Sequence, residues 1–395
     1  MNHKNSTEAD QPKGPLAGVK VIEFAGIGSA PMSCMLLADL GADVVKIDRV
    51  ASSGLGIEVP PQYDVLSRNR RSIALNLKSA EGVDAALRLV SDADIVIEGF
   101  RPGVAERLGI GPDACLKVKP DLVYGRLSGW GQDGPLSERA GHDLNYIAIT
   151  GALHAMGRAG EAPPIPLMFV GDFAGGALYM AFGVVAALQA ARRTGKGEVV
   201  DAAMSDGVAH LTSIFSGMLA SGDWTCERGT NVLDGSAPYY AVYRTKDEKY
   251  YTLGALESKF FVQALEALEV DFPVESQFDK ARWPELRELL ERAFGRWTQD
   301  ELRARLDHID SCCAPVLSFE EAHTHPHAVA RGVYTEVAGL RQPMPAPRFR
   351  VNETAAPRPP AKPGTHTQQL LSEAGYNEAE IEKLCREGIA LQAEE

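Results

Sequence analysis

The chain has 395 residues, 45% of them apolar, with 40 Lys plus Arg against 53 Asp plus Glu and a net charge of −13. That length exceeds what one compact core usually serves, so two domains are expected. The acidic balance excludes a nucleic-acid groove or an anionic membrane surface as the main partner, while leaving room for one anionic small molecule at a local basic patch.

Residues 1–13 are polar and lack an apolar core of the kind an export signal carries, so they read as a disordered tail. Strands are expected at 19–24 and 43–48, with a helix from Pro31 to Leu40 between them and Gly41 as its stop. The pattern continues with a helix at 80–90, a strand at 94–98, a short helix after Pro102 and a strand at 122–127. Alternating strands and helices predict a parallel α/β sheet with helices on both faces. Gly26-Ile27-Gly28-Ser29-Ala30-Pro31 opens like a dinucleotide fingerprint, and Asp48 stands where a ribose-binding acid would. The third glycine is missing, and Pro31 removes a backbone donor at the helix start, so a plain tight turn is the better reading.

Arg49, Arg68, Arg70, Arg71, Lys78, Arg101 and Arg107 lie at or beyond strand ends, the edge where open α/β sheets bind ligands. Their planar or pointlike cations suit a ligand with several phosphates, although scattered surface charge explains any one of them. Three further stretches each hold one titratable residue among glycines and apolar neighbours, where burial can shift a pKa. They are Gly141-His142-Asp143-Leu144-Asn145-Tyr146, Val170-Gly171-Asp172-Phe173 and Gly254-Ala255-Leu256-Glu257. Asp172 stands at the N-cap of an apolar helix over 173–191, which is a structural role complete in itself. That helix holds Gly183 and Gln189 and ends in Arg192-Arg193, so it reads as a buried helix, with no membrane span.

After about Ser221, aromatics gather at Tyr239, Tyr240, Tyr243, Tyr250, Tyr251, Phe260 and Phe261, followed by helices at 257–268 and 284–294. A smaller α+β domain is expected there. His323, His325 and His327 alternate around Pro326 without a supporting ligand pattern, and are read as a loop before a helix, not a metal site. Seven prolines between Pro343 and Pro363 predict an extended crossing segment, and helices at 367–374 and 378–387 finish the chain. The six cysteines show no C-x-x-C pair or framework spacing, which fits reduced thiols and a cytoplasmic protein. The domains are then 1–13 tail, 14–222 large domain, 223–340 small domain, and 341–395 linker and returning helices.

These stretches occur in an order that resembles the family III CoA transferases and, within that family, the α-methylacyl-CoA racemase branch. The resemblance runs through Gly14-Pro15-Leu16-Ala17-Gly18, Arg68-Asn69-Arg70-Arg71, Asn76-Leu77-Lys78 and Glu98-Gly99-Phe100-Arg101-Pro102-Gly103. It continues through Ser128-Gly129-Trp130-Gly131-Gln132, Gly195-Lys196-Gly197, Val200-Asp201-Ala202-Ala203-Met204 and Gly364-Thr365-His366-Thr367. It implies a Rossmann-like large domain with a smaller α+β domain, two subunits interlocked as a homodimer, and an acyl-CoA substrate that brings its own CoA, with no separate cofactor or metal. By the same resemblance His142 and Asp172 form an acid/base pair, and Glu257 is bonded to the histidine. CoA contacts fall on Arg49, Leu75, Asn76, Leu77, Lys78, Gly99, Phe100, Arg101, Arg107, Gly141, Asp143, Leu144, Asn145 and Tyr146.

The chemistry suits those residue types. A thioester acidifies its α-hydrogen, and inversion at that carbon needs a base on one face and an acid on the other. The expectation is interconversion of (2R)- and (2S)-2-methylacyl-CoA. The alternative is CoA transfer between carboxylic acids, with Asp172 as nucleophile.

Overall fold

The computed structural model describes residues 13–51, 54, 56–57 and 59–394. The tail expected over 1–13 lies outside the described residues, Lys13 excepted. Among the described residues the strands are β1 (Lys20–Phe24), β2 (Asp43–Asp48), β3 (Arg71–Leu75), β4 (Ile95–Glu98), β5 (Val123–Ser128), β6 (Glu198–Ala203), β7 (Tyr240–Arg244), β8 (Tyr250–Gly254), β9 (Cys313–Val316), β10 (Tyr334–Val337), β11 (Leu340–Pro343) and β12 (Ala390–Leu391).

By internal contact the chain divides into two compact units. The first takes the residues up to Thr150, Pro166–Leu211 and Gly332–Glu395, and is built on a seven-stranded sheet in the order β12-β3-β2-β1-β4-β5-β6. Every pairing in that sheet is parallel except β12 with β3. The order is Rossmann-like, and it reverses between β1 and β4, where loops leaving the carboxyl ends of adjacent strands turn to opposite faces and open a crevice.

Side chains alternate across the sheet, so each strand feeds two cores. Val21, Val44, Ile95, Ile97 and Val123 meet helices Ser29–Asp39 and Tyr179–Thr194, while Ile22, Val45, Ile73, Val96 and Tyr124 meet helix Ala80–Ser91 and the C-terminal helices Thr367–Glu373 and Glu378–Arg386. The Gly364-Thr365-His366-Thr367 stretch docks this returning segment. Ser72 Oγ accepts the Gly364 N–H at 2.8 Å, and Thr367 Oγ1 accepts the Ala74 N–H at 3.2 Å.

The apolar helix differs from expectation in two respects. It is one helical run over Phe169–Thr194, wound as a π-helix over Phe169–Leu178 and as an α-helix from Tyr179. By length and composition alone it could cross a membrane, yet Met180, Val184 and Leu188 are buried in the sheet's core. Only that face is covered. Leu178, Phe182 and Val185 are exposed, Phe182 to 76%.

The second unit comprises Gly151–Ile165 and Thr212–Arg331. Its antiparallel sheet β7-β8-β9 packs with helices Ser258–Leu268, Trp283–Gly295 and Gln299–Leu306 around Tyr243, Tyr251, Phe261 and Phe294. Tyr243 and Phe294 stack at 4.8 Å. The unit's limits differ from the expected 223 and 340, because the aromatic cluster marks where its sheet begins and not the polypeptide leading to it. Residues 151–165 join it because the Arg228 guanidinium donates to the carbonyls of His154, Arg158 and Glu161. His323 and His325 lie between helices Phe319–Ala322 and Pro326–Arg331, and His327 falls in the first turn of the second helix.

Candidate active site

The switch-point crevice is bounded by the loops after β1 and β4. Gly28, at φ +69° and ψ −111°, turns the first loop into helix Ser29–Asp39. A Cβ added to Gly99 in the second loop would stand 3.1 Å from the Ala30 Cβ, so the two loops abut.

Asp172 reaches the same place from the far side of the unit. It is not the N-cap expected from the sequence: the helix begins at Phe169, Met168 caps it, and Asp172 sits within its first wide turn. The Phe173 N–H reaches back to the Met168 carbonyl at 3.2 Å, which is the long register of a π-turn. Asp172's own N–H, one of the orphan donors of a helix start, goes to Asp143 Oδ2 at 2.7 Å. A Cβ at Gly171 would lie 2.6 Å from that oxygen, so glycine is required there for the approach. The Asp172 carboxyl is half-buried, and its Oδ2 lies 3.1 Å from the position a Gly28 Cβ would take. Burial, and then the neighbouring Asp143 charge, push its pKa up to about 6 against the opposing effect of His142.

His142 is the N-cap of helix Asp143–Ala148, and its N–H donates to Asn145 Oδ1 at 3.0 Å while its ring is left exposed. Tyr146 pins this loop. Its hydroxyl donates to the Gly141 carbonyl and its ring packs edge-on against Trp130 at 4.8 Å. Burial first, then the charge of Asp172, push the Tyr146 hydroxyl up to about 12, and Arg101 opposes the shift. His142, Asp143, Tyr146, Asp172 and Arg101 are thus one electrostatic neighbourhood. Leu75, Asp143 and Tyr146 bury their side chains, so only their backbone atoms can meet a ligand, whereas Leu144 and Asn145 are exposed. Glu257 belongs to the second unit, where it stands as N-cap of helix Ser258–Leu268 with an exposed side chain whose charge acts on Cys312.

The seven loop cations separate into two groups. Arg68 pairs with Asp39, Arg70 with Glu23, and Arg71 with Asp43 and Glu373. These three precede or begin β3, at its amino edge, and correct the expectation that they face a phosphate ligand. Arg49, Lys78, Arg101 and Arg107 are exposed and form no ion pair among the described residues. Arg49, Lys78 and Arg101 follow the carboxyl ends of β2, β3 and β4, the edge at which a parallel sheet presents ligands.

The model of CoA-transferase family III matches residues 16–367. The chain belongs to this family. It is 40% identical over 378 residues to the alpha-methylacyl-CoA racemase of mouse (Mus musculus), covering 95% of this chain and 97% of that one. To the human alpha-methylacyl-CoA racemase it is 39% identical over 382 residues, with the same coverage. Among solved structures it resembles a CAIB/BAIF family protein from Brucella suis, with a TM-score of 0.79 and 26% identity over 92% of this chain and 100% of that one.

One residue beside this candidate site stands in a quoted motif without a role. Glu98 ends β4 and is fully buried, accepting the Phe100 N–H at 2.6 Å and Arg126 Nε at 3.0 Å. Burial outweighs both bonds and pushes its pKa up to about 7. Arg126 is shared with Glu106, so this network fixes the turn carrying Phe100 and Arg101. An acid at the carboxyl end of a parallel strand, just before Gly-Phe-Arg, was the available signal.

Proposed function

We propose that this chain interconverts (2R)- and (2S)-2-methylacyl-CoA thioesters. The observation that carries the proposal is a half-buried carboxyl with a pKa of about 6, within electrostatic reach of an exposed imidazole at the ligand edge of the sheet. A carboxyl so shifted exchanges its proton near neutral pH in either direction. In the forward step a base takes the α-proton and the C–H electron pair delocalises onto the thioester oxygen. The opposite acid then returns a proton to the other face of the carbon, and no net bond is gained or lost.

In this reading His142 serves the 2S face and Asp172 the 2R face. The backbone amide of Asp143, at a helix start, is suited to the enolate oxygen. CoA phosphates meet Arg49, Lys78, Arg101 and Arg107, with the turn over Gly99–Arg101 held by Glu98. Residues 75–78 and Gly141, Leu144 and Asn145 border the rest of the CoA.

A homodimer is part of the proposal. Leu178, Phe182 and Val185 recur at helical spacing on an exposed face of the first unit, and helix Ser213–Ser221 of the second unit has no buried residue. The free cysteines suit the cytoplasm expected from their spacing. To test the activity, the protein is incubated with one epimer of a 2-methylacyl-CoA in D₂O without any acceptor acid. Deuterium at C2 and drift toward both epimers support the proposal. Exchange that is absent, with hydroxylamine instead cleaving an Asp172–acyl anhydride to leave Asp172 as its hydroxamate, would replace it with CoA transfer.

A further inference from the structure

The start of helix Phe169–Thr194 favours a negative charge and needs acceptors for its first N–H groups. The carboxylate that answers it is not Asp172's own. Asp143 Oδ2 takes the Asp172 N–H at 2.7 Å. Asp143 is only 7% exposed, and its Oδ1 is buried with no hydrogen-bond partner. A side chain enclosed in this way cannot contact CoA. Its side chain is instead fixed against the Asp172 peptide.

We propose that Asp143 is a positioning residue that acts through Asp172: it takes over the helix cap and holds a second carboxylate beside the reacting one. The inference rests on the racemase reading and deepens it by explaining how a carboxyl at a helix start can serve as an acid at all. A lone Asp there would be held as the anion by the helix. With Asp143 in that role, Asp172 is left facing burial and a like charge, both of which favour its protonated form. The other groups around Asp172 are His142, which opposes the shift, and Tyr146, which feels the Asp172 charge and is itself faced by Arg101. At pH 7 a carboxyl with a pKa of about 6 is protonated in about one molecule in eleven, enough to supply an acid in rapid exchange.

The test replaces Asp143 by Asn, which keeps an acceptor oxygen for the Asp172 N–H and removes the charge, and by Glu, which keeps the charge. Deuterium wash-in at C2 is followed from each epimer between about pH 4.5 and 8.5, as the span over which a carboxyl of pKa near 6 changes form. In Asp143→Asn the inflection near 6 falls by roughly one unit, and conversion of either epimer into the other slows about tenfold at pH 7, since a scarcer acid and a weaker conjugate base change the two directions together. Asp143→Glu keeps the wild-type inflection. An unshifted inflection in Asp143→Asn, or a loss of the same size at every pH, overturns the inference. If Asp143→Asn fails to fold, infrared titration of the wild-type carboxyls, with Asp172→Asn as the blank, reads the same group. A protonated Asp172 band with its midpoint near 6 that moves down in Asp143→Ser supports the inference, and no such band overturns it. Wild-type protein that exchanges no α-proton defeats the racemase reading instead, with the infrared titration still reporting on Asp172 itself.

Discussion

Gly28→Ala is a sharp perturbation because two separate costs fall on one methyl group. The backbone at φ +69° and ψ −111° corresponds to the first central position of a type II′ turn, which glycine dominates. An alanine there is strained by about 1–3 kcal/mol. The new Cβ would also stand 3.1 Å from Asp172 Oδ2, closer than an ordinary contact, so the carboxyl must yield by a few tenths of an ångström. Misplacing a reacting group by about 1 Å costs on the order of a hundredfold in rate, so this smaller shift is expected to cost about tenfold. Gly26→Ala is the control, since its Cβ meets nothing nearer than the Phe24 carbonyl at 3.9 Å. The assay is deuterium wash-in at C2 alongside thermal melting. Gly28→Ala should lose about 1–3 kcal/mol of stability and about tenfold in exchange. Gly26→Ala should keep both. Equal losses in the two variants, as a nucleotide-binding glycine turn would give, refute the reasoning, as does a folded Gly28→Ala with undiminished exchange.

Four other outcomes follow from the structure. Because the Asp172 carboxyl titrates near 6, deuterium wash-in at C2 of the 2R epimer, which needs it as the carboxylate, should weaken as pH falls below about 6. The same raised pKa means the folded state binds this proton more tightly than the unfolded one, so its contribution to stability is lost as pH rises from the ordinary carboxylate range toward 6. Denaturation of wild type against Asp172→Asn should show that slope. On the proposed CoA-binding reading, Arg101→Ala removes a charge-assisted phosphate contact worth about 1.5–3 kcal/mol, so KM for the acyl-CoA should rise about tenfold or more while kcat changes little. Phe182→Asp places a charge on the exposed apolar face assigned to the proposed homodimer, and sedimentation should show wild type as a dimer and this variant as a monomer.

Much of the sheet was legible because its strands are buried on both faces and read as β-branched runs. β2 falls on its expected limits, and β1, β4 and β5 begin or end within a residue of theirs. β6 was not read as a strand, since Glu198–Ala203 carries a carboxylate at each side of two valines and sits at an edge. The segment around Asp172 was misread for a physical reason. An Asp before an apolar helix is the usual sign of an N-cap, and nothing in the local sequence says that a carboxylate 29 positions away, Asp143, takes the cap instead. Glycines at 171, 175 and 207 hint at it afterwards: a Cβ on Gly207 would strike the Gly175 carbonyl at 1.9 Å, so the wide turn lies directly against helix Met204–Leu211. The loop cations were visible as a group, but which of them were already paired depended on Asp39, Glu23, Asp43 and Glu373, residues distant in sequence.

The central claim is that an imidazole and a carboxyl serve opposite faces of one carbon, and single-face exchange addresses it most directly. Each epimer of a 2-methylacyl-CoA is incubated in D₂O with wild type, His142→Ala and Asp172→Ala, and C2 deuteration is read by mass spectrometry and NMR. Wild type should deuterate both epimers and bring them toward a common mixture, while His142→Ala should leave the 2S epimer unlabelled. Full wash-in from the 2S epimer by His142→Ala would contradict the account.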